Sequence, residues 1–532
     1  MKKFFVLAIV SAFGLAAFGQ ENLNEEVIDV VKNFRPKIMQ AHKIKSQPQF
    51  IDTTKVSENL KYIIRFEDFK LSQNIDSLAA RILKRTPTKG LYSKHIEMGL
   101  GTLLNPHMAV DFSSGKSTKS MYQAFLNYDG AFSEQQDVED TFSYLNFGGN
   151  YKRVFNSLIL QSDLSFKDNY RFDYEETSFR NSNIVFNTSV HLMDTLTVFI
   201  PNKMNISSQT FFRDAEFIES KLALLSKHSG FYKEEIYWSF INDLSFQESN
   251  SINAVHWEST VASSRNYNRT LLSFGLKSDL LNNDFKLFPE ARVQYELIKR
   301  GLFAYSEVGG NRLLYTLNSL YTENPFTNET SIIVNNTLPS NTKYFARFGM
   351  NGNLFKGISY QVSLEGNTQD GFVHFVQTFL SEVNSKPSLV AQFTTVNMVK
   401  LNAQVDAKFT DKFQVWIKGE FKSFDQYLSY IPELELGLYG DYHYTDQWLL
   451  TSSIRYTGSR EYLVLDNESS NLENSSNDIA AFVDINLKLN FAYNNHLGFY
   501  VEGLNLLNND IDFWQHDLVL GRTVNMGFKY RF

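Results

Sequence analysis

The chain reads in two periods. From Glu25 to about Gly90 apolar residues recur at helical spacing, with Val27, Val31 and Phe34 on one stripe and Ile75, Leu78, Ala79, Ile82 and Leu83 on another. Beyond Tyr92 the spacing changes to two and stays there to the last residue. In TVNMGFKYRF, 523 to 532, Val524, Met526, Phe528, Tyr530 and Phe532 fall on one side of an extended backbone, and Thr523, Asn525, Lys529 and Arg531 on the other. NDIAAFVDINLKLNFAY, KFQVWIKGEFK, ELELGLYGDYHY and SLILQSDLSF alternate in the same way. The pattern predicts a helical or irregular segment followed by a long series of strands, each about ten residues long.

The medium that the apolar face meets decides the architecture. About 440 alternating residues run without a Pro-rich or Gly/Ser-rich linker, more than a soluble all-β domain usually holds undivided, and ten residues is the length that crosses a bilayer as a strand. In hydrocarbon every backbone N–H and C=O must be paired inside the protein, which a sheet achieves only by closing on itself. The expected fold is all-β: a transmembrane antiparallel β-barrel over 92–532, apolar outside and polar within. Counting roughly 25 residues per strand with its connection gives about 16 to 18 strands.

The turns and rings agree with this reading. VFNS at 154–157, TDKF at 410–413, YTDQW at 444–448 and YNNH at 493–496 read as tight turns with Asn or Asp at turn positions. SEQQDVEDT at 133–141, 321–341 and DNESSNLENSSND at 466–478 read as long polar loops, and unequal connections of this kind distinguish the two ends of an outer-membrane barrel. Aromatic residues such as Tyr442, Tyr444, Trp448 and Tyr493 gather at run ends, where a ring suits a membrane interface.

Composition and the N-terminus place the chain. Lys2 and Lys3, an apolar run from Phe4 to about Phe18, and Ala17 and Gly19 before Gln20 have the layout of a signal peptide over 1–19. This assigns 20–91 to the periplasm as a short N-terminal segment. The sequence has zero Cys, which leaves no disulfide and no thiolate chemistry, and the net charge of −7 is opposed to nucleic acid as a partner. No later apolar run of about 18 residues exists for a membrane helix.

The stretch GFYVEGLNLLNNDIDFWQHDLVLGRTVNMGFKYRF, 498–532, resembles the last two strands of TonB-dependent receptors. It has the "NLLN" turn at Asn505 to Asn508, the Gly521–Arg522 pair and the terminal Phe532. The resemblance covers roughly the last hundred residues. It implies an outer-membrane location in a Gram-negative bacterium, outer-membrane lipid as the surroundings, and a terminal strand whose Phe528, Tyr530 and Phe532 are read by the barrel-assembly machinery. EEVIDVVK, 25–32, is similar to the box that engages TonB, which makes Val27, Ile28, Val30 and Val31 candidate contacts for TonB or another periplasmic or outer-membrane partner. The chain departs from those receptors ahead of the barrel, where about 70 residues stand in place of a plug domain of well over a hundred.

Catalytic chemistry has little support. None of the ten histidines, from His42 to His516, sits in H-E-x-x-H, and no G-x-S-x-G or phosphate loop is present. Asp137, Glu139 and Asp140, or Asp466 and Glu468, are the acids that clustered oxygens would offer Ca²⁺, and solvated outer loops account for them without a metal. The sequence therefore predicts a non-enzymatic barrel without cofactor, engaged in transport across the outer membrane or serving as a barrel subunit of a larger assembly.

Overall fold

The computed structural model describes residues 93–532 apart from 103, 115–118, 136–137, 173–177, 193–200, 234, 250–251, 300, 328–337, 356, 380–386, 466–476, 510, 512–513 and 515–520. From Lys94–Gly101 to Thr523–Arg531, 22 antiparallel strands pair each with the next, and the last pairs with the first through His95↔Arg531 to Gly101↔Asn525. Closure leaves no edge, as a sheet in hydrocarbon requires. A further two-residue strand, Val464–Leu465, joins the side of Ile358–Phe379 at Gln377 and Thr378, running parallel to it.

The strand number corrects the expected 16 to 18. Hairpins turn in far fewer residues than the sequence count allowed. Arg213 pairs with Glu216 across Asp214 and Ala215, whose positive φ of 50° and 65° fit the two-residue turn that matches strand twist. The stretch 133–141 is likewise no long loop: strands Ser120–Gln135 and Val138–Val154 run through it and pair up to Gln135↔Val138.

Three of the turns at the rim carrying the C-terminus are short and side-chain-locked. Thr410 Oγ1 accepts the N–H groups of Lys412 and Phe413, Thr445 Oγ1 those of Gln447 and Trp448, and Asn494 Oδ1 those of His496 and Leu497. This is how Thr and Asn replace a backbone partner in a turn. The longer connections 315–339, 458–481 and 505–522 all belong to the opposite, far rim.

The alternation sorts side chains as the sequence predicted. Val524, Met526, Phe528, Tyr530 and Phe532 point outward, with Met526 60% exposed, and Phe348 on another strand is 59% exposed. Contiguous bare apolar surface of this kind requires a partner medium, and a ring of it around a closed barrel fits lipid. Their inward neighbours are polar or small.

Small residues on the inner wall have a use. A Cβ at Gly349 would fall inside contact distance of the Tyr305 ring, and one at Gly437 would lie 2.7 Å from Tyr439 Cε2. Rings therefore lie down on glycines, smoothing the wall where branched side chains would push them into the lumen.

Candidate functional site

The lumen holds a chamber of about 1110 Å³, with the polar side chains His107, Asp129, Lys343, Arg347, Glu365 and Lys418 among its lining. Most of its charges are neutralised across adjacent strands. Arg292 meets Glu307 at 3.5 Å, Arg347 meets Glu307 at 3.7 Å and also Glu365, and Lys343 meets Glu365 at 2.6 Å. Farther round, Lys422 joins Glu420 at 2.8 Å to Glu435 at 2.9 Å, and Lys400 reaches Glu420 at 2.6 Å. Cross-strand register puts Arg347 directly opposite both Glu307 and Glu365, whereas Lys422 stands opposite Lys400 and Glu420 bridges the two lysines. Glu307 and Glu365 are 2% and 3% exposed, so each pair offsets a desolvation cost that neither partner could bear alone.

The seam between first and last strands has its own cluster. Glu97 meets Lys529 at 3.2 Å and Lys488 at 3.6 Å, and Lys488 also meets Glu502 at 3.6 Å. His107 lies 2.5 Å from Asp129 and 3.9 Å from Glu97. Among the other histidines, His256 pairs with Asp279 at 2.7 Å, while His42 lies outside the described residues. These are wall contacts between neighbouring strands, and they bring no nucleophile to a histidine.

At the far rim, chain segments from several loops pack against one another. Helix Leu317–Glu323 is held at its start by Thr316, whose Oγ1 accepts the Ser319 N–H at 2.9 Å, and by Glu219, whose carboxylate accepts the Leu317 N–H at 2.6 Å. Leu317, Leu320 and Tyr321 pack there with Phe211 and Ile218 of a neighbouring hairpin, Val373 and Phe375, and Tyr430 and Tyr462. Trp514 seals the cluster, edge-on to Phe375 at 5.1 Å and 5.2 Å from Tyr430. The Arg213 guanidinium stands 4.0 Å from the Tyr321 ring centroid. Loops far apart in sequence thus form an apolar cap above the chamber.

The sequence-predicted residues divide accordingly. Phe528, Tyr530 and Phe532 stand on the outer face of the closing strand, with the Lys94 ammonium 5.1 Å over the Phe532 ring. Val27, Ile28, Val30 and Val31 lie outside the described residues, as do Asp137, Asp466 and Glu468 and the side chains of Glu139 and Asp140. Sequence reasoning missed the cap. Its one local signal was the Thr316–Ser319 spacing ahead of an apolar run, a helix start inside an otherwise alternating chain.

The barrel matches solved structures along most of its length. The ferric enterobactin receptor PfeA of Pseudomonas aeruginosa aligns over 83% of this chain and 81% of its own at 10% identity, with a TM-score of 0.61. The siderophore receptor PirA of Acinetobacter baumannii gives 84%, 81%, 10% and 0.62, and the ferric-catecholate import receptor Fiu of E. coli K12 gives 84%, 82%, 10% and 0.58. These are TonB-dependent receptors with closed 22-strand barrels. The fold of this barrel is theirs. No protein-family model and no curated protein matches the sequence. At 10% identity the likeness to the receptors is one of architecture, carried by strand number, closure and facing, and not by a shared set of binding residues.

Proposed function

We propose that the protein is an outer-membrane barrel that moves a solute across the outer membrane, with residues 20–91 on the periplasmic side and no enzymatic activity. The observation that carries this reading is the inverted barrel: bare apolar rings outside, a chamber with polar side chains in its lining inside, and a receptor-type strand count. The C-terminal rim, whose connections are the shorter ones, faces the periplasm, and the cap faces the exterior, following the general disposition of short and long connections in such barrels. Val27, Ile28, Val30 and Val31 form a contact for TonB or another periplasmic protein. The cap supports a gated conduit over a porin, because an open pore has no need of an apolar cover on its outer mouth.

The test combines location with transport. An epitope inserted within 466–478 is expected to be reached by antibody on intact cells, and cells lacking the protein are expected to lose growth under limitation of one nutrient. Growth unchanged under every limitation, together with stoichiometric recovery of a second outer-membrane protein in the purified material, would overturn transport in favour of a barrel subunit of a larger assembly.

A further inference from the structure

A hydrogen-bonded ladder of buried amides joins the chamber to the cap. At its lower end Glu365 holds Lys343 and Arg347, all three on the chamber wall. Asn367 Nδ2 donates to Glu365 Oε1 at 2.9 Å, Gln369 Nε2 to Asn367 Oδ1 at 2.9 Å, and Asn341 Nδ2 to Gln369 Oε1 at 2.8 Å. Asn341 also donates to the Tyr315 hydroxyl at 3.3 Å, which accepts the Val373 N–H at 3.3 Å. Tyr315 and Val373 belong to the cap cluster.

The ladder stops where the wall stops. Gln369 is the last residue before a bulge that shifts the register between Gln369 and Phe372, and Gly371 within it has φ 81°. A residue with a Cβ at Gly371 would strike the Ser340 carbonyl, so the bend is fixed to glycine. Beyond it the strand enters the cap through Val373 and Phe375. A bulge of this kind re-aims a strand, and here it separates the rigid wall from the part that covers the mouth.

Buried amides have few alternatives to one another. Each carbonyl or NH₂ group that lost its neighbour in this apolar and charged setting would be left unsatisfied, so the members hold or release as a group. We infer that this ladder couples the pairing of Lys343 and Arg347 with Glu365 in the chamber to the seating of the cap. An anionic group entering the chamber draws those cations from Glu365, whose unbalanced carboxylate then turns with them or toward other donors, pulls Asn367 out of line with Gln369, and so loosens Tyr315 and the cap. This goes beyond the transport reading, since it holds for the isolated barrel whatever passes through it.

The chain's lack of cysteine makes the test direct. Leu320 is fully buried in the cap helix. A Leu320→Cys protein folded in detergent is treated with a charged maleimide, and the labelling rate reports cap opening. Adding Asn367→Leu is expected to speed labelling about tenfold, a usual size for intramolecular coupling. Asn402→Leu, on the same chamber wall but outside the ladder, is expected to leave the rate unchanged. Heat-modifiable migration in gels confirms closure of each variant. Should Asn367→Leu not close, Asn367→Ser, too short to span Glu365 and Gln369, carries the same expectation. Equal rates in the Asn367 and unmodified proteins, or equal acceleration by Asn402→Leu, would overturn the coupling.

Discussion

Tyr500 lies across Gly527 at the seam of the barrel, its ring atoms 2.7 Å from where a Cβ on that glycine would stand. Gly99, the direct cross-strand partner of Gly527, is covered by the hydroxyl end of the same ring. The strands that close the barrel thus meet at a glycine pair under one tyrosine, flanked by Glu97 and Lys529 at 3.2 Å. Only a residue without a side chain fits on either strand: at Gly99 the Tyr500 hydroxyl stands where a Cβ would, and at Gly527 the Met98 backbone carbonyl of the partner strand stands closer still than the ring.

Gly99→Ala and Gly527→Ala are therefore expected to strain the seam. Forcing a methyl group into packed surroundings costs about 1–3 kcal/mol, and here the strain falls on the pairing that completes the barrel. The temperature at which the heat-modifiable band is lost should fall for both variants; adding Tyr500→Ala should restore it in part for Gly99→Ala, and less for Gly527→Ala, where the Met98 carbonyl still meets the methyl group. An unchanged temperature in Gly99→Ala would show that Tyr500 moves aside without cost.

The outward facing of the terminal strand predicts a contrast between adjacent residues. Phe528→Lys places a charge on the lipid side, at a cost of up to about 2–4 kcal/mol near the midplane, and should sharply reduce the folded protein recovered in outer membranes. Lys529→Ala faces the lumen and leaves Glu97 with Lys488 at 3.6 Å, so its effect should be small. Equal recovery of the two variants would contradict the assigned facing.

Much of this architecture was legible in sequence because period two is a local property. Val524 to Phe532, Leu434 to Tyr444 and Phe482 to Ala492 each declare their faces without reference to any other strand. Strand number was less legible, since it depends on how many residues each turn consumes. The stretch 133–141 is polar enough to read as a loop, yet its residues pair as a hairpin that continues past the length a bilayer needs. The cap was invisible for a different reason: Tyr315, Phe375, Tyr430, Tyr462 and Trp514 become neighbours only when strands far apart in the chain are brought round the same mouth. The amide ladder hides likewise, as Asn367 and Gln369 look like ordinary lumen-facing polar residues until Asn341 joins them from the adjacent strand.

Burial separates ion pairs that matter from those that do not. Glu307 is buried between Arg292 and Arg347, whereas Glu235 and Arg265, 2.5 Å apart, are 64% and 38% exposed on their side chains. Glu307→Ala removes the buried carboxylate shared by Arg292 and Arg347, leaving Arg347 to Glu365 and Arg292 to Gln294, and is expected to cost about 3 kcal/mol, the low end for a broken buried pair, in urea unfolding from lipid vesicles. Glu235→Ala, where water screens the pair, should cost less than about 1 kcal/mol. Comparable losses would mean that water enters the wall at Glu307.

His374 gives the cap a direction of response to acid. It lies beyond the Gly371 bulge, well past the ten or so residues that a bilayer takes from its strand, and it is 5% exposed with no hydrogen-bond partner for Nδ1. Burial pushes its pKa down from 6.5 to about 4, because the charged ring loses its hydration there. A base with a depressed pKa stabilises the fold above its ordinary value and loses that contribution as pH falls toward the folded value, so the strand end that carries Val373 and Phe375 into the cap should weaken from about pH 6.5 down to about 4. The full effect is of order 3 kcal/mol at about 1.4 kcal/mol per pH unit. In planar bilayers, acidifying the side that faces the cap should raise the frequency of channel openings across that range, and His374→Gln, which cannot take the proton, should flatten the response. Openings that rise equally in the Gln variant would assign the acid response to another group.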